Sequence, residues 1–114
     1  MEKLVRDRII EFSRIAGDGR EFRYATPEQI PVLFAKKLLE EAIEVAQELS
    51  QPTISITALM DELADLTEVI EEIMEGYNIG VEALLHVRNA KADRKGRFKD
   101  GLVLNLETNI PRKV

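Results

Sequence analysis

At 114 residues and 45% hydrophobic content the chain is sized for a single domain over 1–114, with a real but not generous core. Its net charge of −5 speaks against general attraction to polymeric nucleic acid or to an anionic membrane, because either partner requires a net basic surface; an anionic ligand needs a local cluster instead. The absence of cysteine excludes a disulfide framework, a thiolate metal site and a thiolate nucleophile. A start that is charged at once and the lack of any long apolar run make a cytoplasmic protein the expectation.

Over 4–15 the apolar residues Leu4, Val5, Ile9, Ile10 and Phe12 recur at roughly helical spacing, and Gly17 and Gly19 then stop a short first helix. Phe22 and Tyr24 alternate within 21–25, as Leu102, Leu104 and Leu106 do near the C-terminus, so 21–25 and 102–107 are candidates for a small strand pair. Thr26-Pro27-Glu28-Gln29 has the form of a capping box with proline in the first turn, and Pro31 delays the regular helix that follows. This second helix runs to 49 or 50. Pro52 forbids its simple continuation, and a third helix is predicted over 56–75, closed by Gly76. Asn78 is the expected cap of a fourth helix reaching 95, with Gly96 as its stop. Four amphipathic helices with short connections predict an all-α, antiparallel four-helix bundle.

Projected at about 100° per residue, the second helix carries Phe34, Leu38, Ala42, Val45 and Leu49 on one face, with Glu41, Glu44 and Glu48 along its border and Glu40 pointing away. The third helix has an apolar arc of Leu59, Leu63, Leu66, Val69, Ile70 and Ile73. Glu62 falls inside that arc and Asp65 beside it. A charge kept in an apolar arc generally needs a compensating cation, since a lone carboxylate there costs several kcal/mol or takes up a proton. Both helices space their acids at i, i+3, which stacks them on one side. Packed together, the two helices can converge Glu41, Glu44, Glu62 and Asp65, an oxygen-only set suited to a hard cation such as Mg²⁺. The competing reading is ordinary, since acidic pairs at this spacing are usually solvated faces.

On the fourth helix one stripe begins with Leu84 and Val87 and continues as Arg88, Lys91, Arg94 and Lys95, with Arg97 just beyond. A core-facing stripe that turns basic is leaving the core for something anionic, here phosphate; the alternative is favourable placement of cations at a helix C-terminus. Lys3, Arg6 and Arg8 surround Asp7 in what is, alone, an ordinary charged turn. His86 has no second imidazole and receives no role. No Ser/His/Asp set, phosphate-binding glycine loop or dinucleotide fingerprint occurs.

The run Glu40-Glu41-Ala42-Ile43-Glu44, followed at an interval of 17 residues by Glu62-Leu63-Ala64-Asp65, resembles the EExxE and ExxD signature of the all-α nucleoside triphosphate pyrophosphohydrolases. That superfamily includes MazG-type house-cleaning enzymes, dimeric dUTPases and phosphoribosyl-ATP pyrophosphohydrolase. Lys3-Leu4-Val5-Arg6-Asp7-Arg8-Ile9 and Lys91-Ala92-Asp93-Arg94-Lys95-Gly96-Arg97-Phe98 are similar to the opening and the last-helix end of a subgroup of small MazG-related proteins. Relatives often carry proline where this chain has Ile10, and a glycine pair where it has Gly96-Arg97.

The resemblance implies a MazG-like bundle in which Glu41, Glu44, Glu62 and Asp65 bind Mg²⁺ (or Mn²⁺), with Glu41 or Glu44 as the base. Lys3, Arg6, Lys91 and Arg94 would contact substrate phosphates, and Glu40, Arg88, Lys95 and Arg97 are additional candidates. It implies cleavage of a nucleoside triphosphate to monophosphate and pyrophosphate by a homodimer or homotetramer. Two rival readings accompany it: phosphoribosyl-ATP pyrophosphohydrolase of histidine biosynthesis, and a non-catalytic helical module for nucleotide sensing or oligomerisation. Retention of all four acidic positions separates the enzymatic readings from the last.

Overall fold

In the computed structural model, which describes residues 1–107, the chain is all-α, with helices α1 (Ile9–Ala16), α2 (Ile30–Leu49), α3 (Ile56–Gly76) and α4 (Val81–Lys95). The first three helices belong to one compact unit, Met1–Asn78, and α4 to a second that begins at Ile79.

The ends of the helices follow local chemistry. At the end of α1, Gly17 adopts φ 64°, and its N–H and that of Asp18 reach back to the carbonyls of Arg14 and Ser13. This left-handed closure is open to glycine at no steric cost. Ser13 is buried and its hydroxyl donates to the carboxylate of Asp18. The glutamine arm of the predicted capping box is present, Thr26 N–H donating to Gln29 Oε1 at 3.1 Å, while the helix itself starts at Ile30, delayed as Pro31 requires. Ser55 caps α3 by accepting from the Ala58 N–H at 3.2 Å.

Three local expectations are corrected. The first helix starts at Ile9 rather than near Leu4, because residues 1–8 are held instead by ion pairs to distant side chains: Glu2 to Arg23, Lys3 to Glu40, Arg6 to Asp65. Asn78 does not cap α4; it takes φ 54° in the turn after α3, and Gly80 precedes the helix. Neither 21–25 nor 102–107 forms a strand, and no strand occurs among the described residues. A lone two-stranded ribbon has too little buried surface to stand by itself.

Within the first unit α2 packs against α3, the short 50–55 connection turning the chain back on itself. The inward side of α2 is rotated from the expected one. Phe34, Leu38 and Val45 are half-buried as projected, but Ala42 and Leu49 are exposed, while Glu41 is buried and Lys37, Glu44 and Glu48 are half-buried. On α3, Leu59, Glu62, Asp65, Leu66, Val69 and Ile73 turn inward, and Leu63 and Ile70 turn out. The helix pair therefore keeps a second apolar face on its outside: Leu39 is 64% exposed, Ile43 55% and Met60 64%. On α4 no residue is buried, Leu84 and Val87 included.

Candidate metal centre

The four acids singled out on α2 and α3 come together. Glu41 and Glu44 stand one turn apart on α2, Glu62 and Asp65 one turn apart on α3, and each offers an oxygen that lies within 4.8 Å of those of the other three. Glu41 is only 5% exposed. Its Oε2 and the Oε2 of Glu62 are buried without a hydrogen-bond partner among the described residues. Orphaned buried acceptors are expensive, each costing on the order of 1–3 kcal/mol, and two in one acidic cluster fit a cation ligated there. The donor set is all carboxylate oxygen, which suits Mg²⁺, Mn²⁺ or Ca²⁺ rather than a soft metal.

The electrostatics are uneven around the cluster. Burial pushes the Glu41 carboxyl above the ordinary carboxylate range, outweighing the opposing pull of Lys37, and Glu44 adds to the rise. Glu40 is held below its ordinary value: partial burial acts against this, but Lys37 and Lys3 together prevail. Lys37 itself is raised, its desolvation outweighed by Glu41 and Glu40. Arg6 donates to Asp65 Oδ1 at 2.7 Å, the strongest cause of its raised pKa.

Of the residues proposed from sequence to meet phosphate, Lys3 and Arg6 reach the cluster's edge, Lys3 Nζ lying 3.4 Å from Glu40 Oε1. Glu40, set aside on projection, is half-buried and paired with both Lys3 and Lys37. Arg88, Lys91, Arg94 and Lys95 are all exposed on α4 and Arg97 just after it, with Arg88 donating to the neighbouring Asn89 at 3.3 Å. These five lie in the second unit.

Two features escaped the sequence. Lys37 is 19% exposed at its side chain and lies 3.1 Å from Glu41 Oε1 and 3.4 Å from Glu40 Oε2; its i, i+4 spacing to Glu41 was the available signal. Beginning one turn before Glu41, an open groove of about 470 Å³ is lined by Pro27, Ile30, Phe34, Leu38, Ile73 and Tyr77 among others. No helix among the described residues is long and apolar enough to cross a membrane. Comparisons with protein-family models, with curated proteins and with solved structures find no match to this chain.

Proposed function

We propose that the chain is a Mg²⁺-dependent nucleoside triphosphate pyrophosphohydrolase that cleaves the α,β-phosphate bond. The observation that carries this reading is the convergence of Glu41, Glu44, Glu62 and Asp65 within 4.8 Å, with two buried carboxylate oxygens left unpartnered. The sequence resemblance supplies the reaction class.

A divalent ion held by these carboxylates supplies Lewis acidity and eases deprotonation of water. The chain's own residues do the rest. Glu41 or Glu44 accepts a proton from the attacking water, as a general base within hydrogen-bond reach must. The water oxygen bonds to the α-phosphorus, and the α-phosphorus bond to the bridging oxygen breaks with its electrons leaving on pyrophosphate. Arg6 and Lys3 are long, exposed cations able to leave Asp65 and Glu40 for phosphate oxygens. The basic stripe of α4 has the composition of a phosphate clamp, and its contribution rests on the sequence pattern. The apolar groove lined by Phe34, Leu38 and Ile73 on the same two helices suits the nucleobase.

The exposure of Leu39, Ile43 and Met60 on the α2–α3 pair supports a homo-oligomer, since large apolar side chains left outside a small core are readily buried against a second copy. The reading is tested by a turnover screen of the purified protein with Mg²⁺ against common, deoxy and modified nucleoside triphosphates and phosphoribosyl-ATP, alongside Glu62→Gln. Pyrophosphate release by the unsubstituted chain, abolished in Glu62→Gln with the helical circular dichroism retained, is the expected result. A Glu62→Gln variant with near wild-type turnover overturns the site assignment.

A further inference from the structure

Four carboxylates within 4.8 Å repel one another, the more so because Glu41 is buried with one oxygen unpartnered. A fold that assembles them before any ion arrives needs cations of its own. Three are in place at the cluster and its neighbour Glu40. Lys3 and Arg6 come from the N-terminal segment, and their side chains are 63% and 60% exposed, so water screens them and they turn away readily. Lys37 differs on each count. It stands on α2 itself, one turn ahead of both Glu40 and Glu41, its side chain is largely shielded, and its Nζ bridges the two carboxylates at 3.4 and 3.1 Å. Helix geometry fixes that approach, because i, i+3 and i, i+4 neighbours share one face.

Resting on the metal reading above, we propose that Lys37 is the resident counter-cation of the cluster: it stabilises the carboxylates while no divalent ion is bound and opposes the ion when it binds. Glu40, Glu41, Glu44, Glu62 and Asp65 outnumber Lys3, Arg6 and Lys37, so the group stays net negative with its own cations in place. An ammonium 3.1 Å from a ligand oxygen lowers the attraction that oxygen's carboxylate exerts on a second cation. Metal and anionic substrate are then coupled, because phosphate oxygens arriving with the ion give Lys37 a new partner. The chain on its own holds the ion loosely, and the ion brought in on a nucleotide's phosphates is held well.

Calorimetric titration with Mn²⁺ alone, no nucleotide present, tests this in the unsubstituted chain, Lys37→Met and Lys37→Arg, with melting temperatures of each measured in a chelator. Lys37→Met is expected to bind Mn²⁺ at least about tenfold tighter, since one unit charge acting on a divalent ion across a few ångströms is already worth that in bulk water and more beside a shielded lysine, and to melt at a lower temperature without metal. Lys37→Arg keeps both properties close to those of the unsubstituted chain. Lys37→Gln carries the same test should Lys37→Met fail to fold. Unchanged or weaker Mn²⁺ binding in the neutral variants, or an unchanged metal-free melting temperature, overturns the role of Lys37 alone. No Mn²⁺ uptake by the unsubstituted chain and none by Lys37→Met or Lys37→Gln overturns the metal reading itself.

Discussion

Replacing Glu41 by glutamine should make the metal-free protein more stable while removing its response to metal. Glu41 is 5% exposed, has one oxygen without a partner and sits beside Glu44, against which it has a single ion pair to Lys37. An unsatisfied buried polar atom costs on the order of 1–3 kcal/mol. The amide keeps the side chain's size, can still accept from Lys37, and can donate towards Glu44. Weakening of the charge-assisted Lys37 contact offsets part of the gain, so a net stabilisation of about 1 kcal/mol at neutral pH is expected, roughly 4 °C in melting temperature for a unit of this size. The pH dependence gives the sign. Because the folded-state pKa of Glu41 is raised above its ordinary value of 4.5, the protonated form favours the fold; that stability is fully present below the unfolded pKa and is lost as pH rises through the folded one. The glutamine variant has no such loss, so its advantage is near zero in acid and opens with rising pH. Saturating Mn²⁺ reverses the order: at a hundred times its dissociation constant the ion adds about 2.7 kcal/mol to the unsubstituted chain and little to the variant. Thermal melts from pH 4 to 8, with chelator and with Mn²⁺, read both effects. A Glu41→Gln variant that is less stable than the unsubstituted chain at neutral pH without metal refutes the reasoning, since Glu41 would then be held by a net favourable ion pair.

Further outcomes follow from other parts of the chain. Arg94→Ala should raise the substrate KM or lower turnover while leaving Mn²⁺ affinity within about twofold, because a guanidinium can hold phosphate but offers no ligand oxygen to a cation; loss of metal binding in that variant contradicts the phosphate-only role. Ser55→Ala removes the hydroxyl that caps α3 and should cost about 1 kcal/mol in a denaturant melt; an unchanged midpoint refutes the cap's contribution. Sedimentation equilibrium at micromolar concentration should give a dimer or larger species, and a single species at 13.0 kDa would remove the oligomer and with it the role given to the outer apolar face.

Helix positions and the four acids were readable because they rest on local signals: the proline and glycine breaks bracket α2 and α3, and i, i+3 spacing alone sets which acids share a side. What the sequence left ambiguous was the rotation of α2. It has apolar residues on two sides, Phe34, Leu38 and Val45 on one and Leu39 and Ile43 on the other, and a projection extends the first into an arc that takes in Ala42 and Leu49. Only the packing against α3 shows that the inward side runs through Lys37, Glu41 and Glu44. For the same reason the projection turns Glu40 away from the site and gives no weight to Lys37, a lone lysine whose meaning depends on burial. The late start of α1 was equally hidden, since the periodicity of Leu4 and Val5 is silent about Lys3 and Arg6 finding partners 37 and 59 residues away.

The choice of bond broken separates this reading from any other metal-assisted phosphate hydrolysis at the same carboxylates. Turnover of a nucleoside triphosphate in ¹⁸O-labelled water, with products resolved by mass spectrometry, places the label directly. Attack at the α-phosphorus predicts one ¹⁸O in the nucleoside monophosphate and unlabelled pyrophosphate. Nucleoside diphosphate accompanied by labelled inorganic phosphate would mean attack at the γ-phosphorus and would contradict the proposed function.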